Sequence, residues 1–204
     1  TPQKEALLDE RLLATPAVAV QRAHEIASEM AADAAKAMHL AMGLTKKFET
    51  GIMEQVVELE DKTDRYEDAL DTYLVKLSSQ ALSSDDSHVV SKILHAIGDF
   101  ERLGDHAMNL LDSAKEKQAK GQQFSVDGAA QLAVLKEAIN EILLLTCRAY
   151  QENDVELAAQ VEPLEQVIDN LIRQARSSHL KRLNEGRCTI EMGFVLADVL
   201  NNYE

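Results

Sequence analysis

The sequence predicts an all-α protein, and three observations carry that prediction. Apolar residues recur at alternating three- and four-residue intervals through most of the chain. Helix breakers are scarce, with three Pro and eight Gly in 204 residues. The gaps that do interrupt the pattern, such as Lys120-Gly-Gln-Gln-Phe-Ser125 and Asn184-Glu-Gly186, hold the residue types that end and begin helices.

Each element follows from its own signals. After a leader over residues 1–15, Thr15-Pro16 offers an N-cap and a proline at the first helical position. Ala23, Ile26, Met30, Ala34, Ala37 and Ala41 then carry a first helix to about Lys47. The second has the cleanest seam: Ile52, Val56, Leu59, Thr63, Tyr66, Leu70, Tyr73 and Leu77 alternate by four and three. Ser83–Ser87 reads as a turn with several capping candidates. A third helix follows through Val90, Ile93, Ile97, Phe100, Ala107, Leu110 and Ala114, and Gly121 suits its C-terminus. Leu132, Leu135, Ile139, Ile142, Thr146 and Ala149 make a fourth, and Asn153-Asp154 marks its end or the next start. The fifth runs from Leu157 through Val161, Leu164, Ile168, Leu171 and Ala175, with Pro163 predicting a kink or a late start. The sixth begins near Thr189, and its spacing is still running at Glu204. With Thr as its first residue, the chain reads as a segment of a longer protein or a processed form.

Internal similarity organises these helices. Leu59-Glu-Asp-Lys-Thr-Asp-Arg-Tyr66 aligns with Leu164-Glu-Gln-Val-Ile-Asp-Asn-Leu171, and Ser91-Lys-Ile-Leu-His-Ala-Ile-Gly-Asp-Phe-Glu101 with Phe194-Val-Leu-Ala-Asp-Val-Leu-Asn-Asn-Tyr-Glu204. Both offsets are roughly a hundred residues, which argues for a tandem duplication. The expected architecture is two three-helix repeats, 16–120 and 121–204, packed antiparallel and joined near residues 119–126, with the last helix truncated.

Composition narrows the function. Thirty-five acidic against 21 basic residues give a net charge of −14, the wrong sign for a nucleic-acid partner. No run of 18 apolar residues exists to span a membrane. Two cysteines, Cys147 and Cys188, are too few for a disulfide framework, and neither has a neighbour in sequence that would complete a catalytic set.

The chemistry lies in the acids. In Asp99-Phe-Glu-Arg-Leu-Gly-Asp-His-Ala-Met-Asn109, Glu101 and Asp105 stand one helical turn apart on one face. Chance alone gives roughly six acidic pairs at this spacing in so acidic a chain, so a solvated flank is the plain alternative. Rotation distinguishes these pairs. Glu60 and Asp64 each follow a seam residue by one position, as do Glu165 and Asp169, and Glu101 and Glu204 each follow an aromatic seam residue. An all-oxygen set of Glu60, Asp64, Glu101 and Asp105, repeated in part by Glu165, Asp169 and Glu204, suits a hard cation such as Mg²⁺, Mn²⁺, Ca²⁺ or iron and disfavours structural zinc. His106 points about 100° from Asp105 and reads as a hydrogen-bonded surface histidine or a group at the repeat interface. Asn109 is open between a helix–helix hydrogen bond and a ligand role. Gly104 permits close helix approach, and Met30, Met38 and Met42 fill core.

The run Phe-Glu-Arg-Leu-Gly-Asp-His-Ala-x-Asn of residues 100–109 resembles the signature of the PhoU family of phosphate-regulon proteins. That resemblance covers residues 16 to 204. It implies two three-helix repeats whose Glu/Asp-x-x-x-Asp motifs bind metal clusters in some members. More narrowly, Leu8-Asp-Glu-Arg-Leu-Leu-Ala-Thr-Pro-Ala-Val-Ala-Val20 and His179-Leu-Lys-Arg-Leu-Asn-Glu-Gly-Arg-Cys188 are similar to the cytosolic PhoU-like tail of bacterial sodium/phosphate cotransporters. The implied role is non-enzymatic modulation of phosphate uptake at the cytoplasmic side of the membrane. The implied partner is the chain's own transporter domain or a phosphate-signalling protein, with a homodimer also open. The family's second signature continues past Glu204 with residues this chain does not contain. A free-standing phosphate-regulon regulator and a structural helical scaffold are the alternatives. A ferritin-like di-iron enzyme would need Glu-x-x-His, which occurs nowhere here.

Overall fold

The computed structural model describes residues 8–204; the first seven residues of the leader lie outside the described residues. Among the described residues, seven α-helices follow a 3₁₀ turn at Glu10–Ala14: α1 (Pro16–Lys46), α2 (Thr50–Ser78), α3 (Ser84–Ala119), α4 (Val126–Glu152), α5 (Val155–Ala158), α6 (Val161–Asn184) and α7 (Ile190–Tyr203). Among the described residues there is no strand, as the periodicity predicts.

Local chemistry sets the boundaries, with some corrections to the sequence reading. Pro16 opens α1, but the Thr15 side chain makes no capping bond. Of the residues in the Ser83–Ser87 segment, only Ser83 lies outside the helix. Its hydroxyl accepts from the Asp86 amide at 3.0 Å, and the other four form the first turn of α3. Gly121 follows α3 with φ of 61°, and Asn153 ends α4 with φ of 51°, the left-handed conformation that Gly and Asn tolerate best. The fifth helix starts late. Asp154 caps the short α5 by accepting from the Glu156 and Leu157 amides, and α6 begins only at Val161. Pro163 thereby falls in the first turn of α6, where its missing N–H would have had no intrahelical partner. The leader is more than a linker. Its Leu12 and Leu13 pack on the core, the Tyr73 hydroxyl donates to the Asp9 carbonyl at 3.2 Å, and Glu10 pairs with Lys76.

Helix α1 is the central element, packed against α2, α3 and α4. Its seam is built from small residues: Ala19, Ala23, Ala27, Ala34, Ala37 and Ala41 are all fully buried, which lets three neighbours approach its backbone. Met30, Met38 and Met42 fill the wider gaps between them, also buried. The buried apolar side chains form two clusters. One joins the N-terminal half of α1 to the far half of α2 and the near half of α3, around Ile26, Leu70, Leu74, Leu77 and Ile93. The other joins the opposite ends of those three helices to α4, α6 and α7, around Met42, Leu110, Leu111, Leu135, Ile172 and Val199. Residues of the second half therefore share a core with the first.

Three histidines stitch that junction. His24 donates from Nε2 to the Tyr150 carbonyl at 3.1 Å, His39 Nδ1 to Asn140 Oδ1 at 3.0 Å, and His106 Nδ1 to Asn202 Oδ1 at 3.0 Å. Tyr150 adds ring contacts, stacked on His24 at 5.0 Å and edge-on to Phe100 at 5.1 Å. Of the two readings of His106, it takes the one at the interface between halves.

Candidate functional site

The predicted acids of the first half meet where α2 crosses α3. Thr63 is fully buried there, its hydroxyl satisfied by donation to the Glu60 carbonyl at 2.8 Å. Opposite lies Gly104, where a Cβ would stand 3.1 Å from Thr63 Oγ1 and 3.8 Å from Glu60 Cγ. The missing side chain of Gly104 thus sets the helix separation, as the sequence suggests. Glu60 and Asp64 flank Thr63 on one helix; Glu101 and Asp105 flank Gly104 on the other. Glu60 and Glu101 are half-buried, while Asp64 and Asp105 are exposed.

Their electrostatics are those of crowded like charges. Partial burial, then Asp64, Asp61, Asp105 and Glu101, holds the Glu60 carboxyl above its usual range. Asp64, though exposed, is raised by partial desolvation at the crossing, then by Asp105, Asp61 and Asp68, with Arg65 opposing. Glu101 is raised by burial, then by Asp105, Glu67 and Asp64, and by a hydrogen bond with Asp105. Among the described residues no Lys, Arg or His forms an ion pair with any of these carboxylates.

One member escaped the sequence reading. Glu67 is half-buried and raised by burial and by Asp68, Asp64, Asp71 and Asp105. It follows the seam residue Tyr66 by one position, the rule that selects Glu60 and Asp64, so the same rotation extended one turn finds it.

The remaining candidates are placed differently. Glu165 and Asp169 are exposed on α6. Glu204 accepts from Arg176 Nη2 at 2.6 Å, and the same guanidinium nitrogen reaches Asn201 Oδ1 at 2.9 Å. Asn109 is exposed on α3. Cys147 is half-buried, its thiol directed at the Ala31 carbonyl at 3.5 Å and raised by burial; Cys188 is half-buried and free. As donors, the carboxylates at the α2–α3 crossing have the hard, anionic chemistry a Mg²⁺, Mn²⁺, Ca²⁺ or iron ion requires. Their side chains are not gathered as ligands in this conformation: among the described residues no three His, Cys, Asp or Glu groups converge as a metal site.

Fold and site together define a helical bundle with a multi-carboxylate face at a helix crossing. Residues 27–114, less than half of the chain, match the model of the PhoU domain. The matched segment spans most of α1, all of α2 and α3 to Ala114, and so includes Glu60, Asp64, Glu67, Glu101 and Asp105 but none of the acids of the second half. A PhoU domain points to regulation of phosphate homeostasis. No curated protein and no solved structure matches the chain.

Proposed function

We infer that this chain is a non-enzymatic regulatory domain that modulates phosphate uptake, as the cytosolic tail of a sodium-dependent phosphate cotransporter. Support for the regulatory role comes from the PhoU match over α1–α3. Support for the transporter link comes from the resemblance of residues 8–20 and 179–188 to cotransporter tails. No described helix is long and apolar enough to cross a membrane. On this reading the chain acts through contacts with a membrane domain or a phosphate-signalling protein.

The observation that carries the reading is the carboxylate cluster across α2 and α3. Five acids held together without a described cation partner carry unfavourable repulsion that a bound hard cation would relieve. Glu60, Asp64, Glu101 and Asp105 would hold it, with Glu67 adjacent. The ion would supply positive charge that fixes the crossing, not a reaction. Glu165, Asp169 and Glu204 would make a weaker second set, because Arg176 already neutralises Glu204.

Two measurements test this. Titration with Mn²⁺ should give saturable binding and a rise in melting temperature, both largely lost in Glu101→Ala/Asp105→Ala. The same double substitution in the full parent chain should alter phosphate uptake or its response to phosphate supply, with membrane insertion intact. No Mn²⁺ binding above background removes the metal proposal. Unchanged uptake under both phosphate-rich and phosphate-starved conditions removes the regulatory one.

A further inference from the structure

A second site lies away from the acids, at the other junction between the two halves. A cavity of about 570 Å³ opens between the N-terminal ends of α1 and α3 and the α4–α5 joint. It shares no residue with the carboxylate cluster. Its volume is that of a small-molecule pocket. The walls are mainly apolar, with Val20, Val89, Ile93 and Ala149 beside the ring of Tyr150, which the stacked His24 holds in place.

The charges around it are unequally committed. Asp154 accepts the Glu156 and Leu157 amides on Oδ1 at the start of α5, and Asp86 sits in the first turn of α3, where the positive end of the helix offsets part of its charge. Among the described residues Lys92 forms no ion pair. It donates one hydrogen bond, to Asn153 Oδ1 at 2.9 Å, which leaves two ammonium donors at the rim. Asn153 is held there by its left-handed backbone at the end of α4. Lys92 is thus the one lysine or arginine of the lining, beside Asp86 and Asp154 at the rim of an apolar floor, with ammonium donors left for a ligand.

We propose that this cavity binds a small anionic amphiphile, with its apolar body against Val20, Val89 and Ile93 and its anionic group on Lys92. Because α1 and α3 form one wall and α4 and α5 the other, the bound molecule bridges the two halves of the chain.

Decanoate and its uncharged counterpart 1-decanol, both below their aggregation limits, are the probes, read by backbone amide shifts in the intact chain. Both ligands should saturate at one site, with shifts concentrated at residues 17–24, 86–93 and 146–158. Lys92→Met should weaken decanoate about tenfold and leave decanol unchanged. Ala158→Trp, which places an indole in the cavity from an exposed position, should weaken both at least tenfold. Ala17→Trp, from the opposite wall, gives the same reading if Ala158→Trp does not fold. Shifts spread over the exposed Leu144 and Phe194 surfaces, failure to saturate, or equal affinity for decanoate in Lys92→Met would each overturn the proposal.

Discussion

The helices of the first half and those of the second follow one plan but are stabilised unequally. Fourteen residues of α1 are buried, whereas α4, nearly as long, buries five, and leaves Val134 and Leu144 more than half exposed. Helix α6 likewise exposes Val167 and Leu180, and α7 exposes Phe194. In the first half α1 is surrounded by α2, α3 and α4, so each small residue on it meets a partner. In the second half α4 and α6 face each other and the shared core, and their outer sides face solvent. A periodic apolar pattern thus specifies a helix in both halves, but it specifies burial only where a neighbour is present to cover it.

Core truncation should separate the halves most sharply. Leu70→Ala, at a fully buried site within the first half, should cost about 2–5 kcal/mol, whereas Leu144→Ala on α4 should stay within about 0.5 kcal/mol. Denaturant unfolding measures both. A Leu144→Ala cost comparable to that of Leu70→Ala would mean that the outer face of α4 is covered in solution.

Glycine substitutions give the next largest contrast. A Cβ on Gly193 would stand 2.7 Å from Nε2 of the buried His179, so Gly193→Ala should cost about 1–3 kcal/mol. At Gly104 the contact is looser, 3.1 Å from Thr63 Oγ1, and the strain should roughly cancel the gain of about 1 kcal/mol that Ala brings to a helix interior. Gly98 has nothing within 4 Å, so Gly98→Ala should stabilise α3 by about 0.5–1 kcal/mol. A loss on Gly98→Ala would show that the α3 face there is occupied.

Acid should move the two halves in opposite directions. The carboxyls of Glu60, Asp64, Glu67 and Glu101 are raised by burial and by one another, so the folded state takes up their protons first. Their stability contribution is complete below the ordinary carboxylate range, about pH 4, and is lost as pH rises through the raised values. His179 has the reverse sign. Burial, then Arg182, lowers its pKa, so its contribution is present above about pH 6.5 and is lost as pH falls through the lowered value. Amide hydrogen exchange at pH 7 and pH 4.5 should show protection rising around the α2–α3 crossing and falling at the α6–α7 contact. A parallel change in both places contradicts this assignment.

The smallest expected effect is charge removal at the cluster. Glu101→Gln removes repulsion with Asp105 and should stabilise by about 0.2–0.5 kcal/mol at pH 7, with the gain vanishing near pH 4. Thermal melts at the two pH values check it, and a loss of stability at pH 7 would mean that Glu101 has an attractive partner.

The sequence by itself determined the helices and the first group of acids. Three- and four-residue spacing fixes which side of α2 and α3 faces inward, and rotation one residue past the seam then fixes where Glu60, Asp64, Glu101 and Asp105 must lie. The same arithmetic extends to Glu67. Rotation along one helix says nothing about the neighbour across it, and there the tertiary structure decided. It paired Glu204 with Arg176, joined His106 to Asn202, and merged the second half into the core of the first instead of giving it one of its own. It also opened the cavity beside Lys92 and Tyr150, residues more than fifty positions apart. Periodicity is a property of one helix and its solvent; contacts depend on which other helix arrives, at what crossing angle and how closely. At the α2–α3 crossing one missing side chain, that of Gly104, sets that distance.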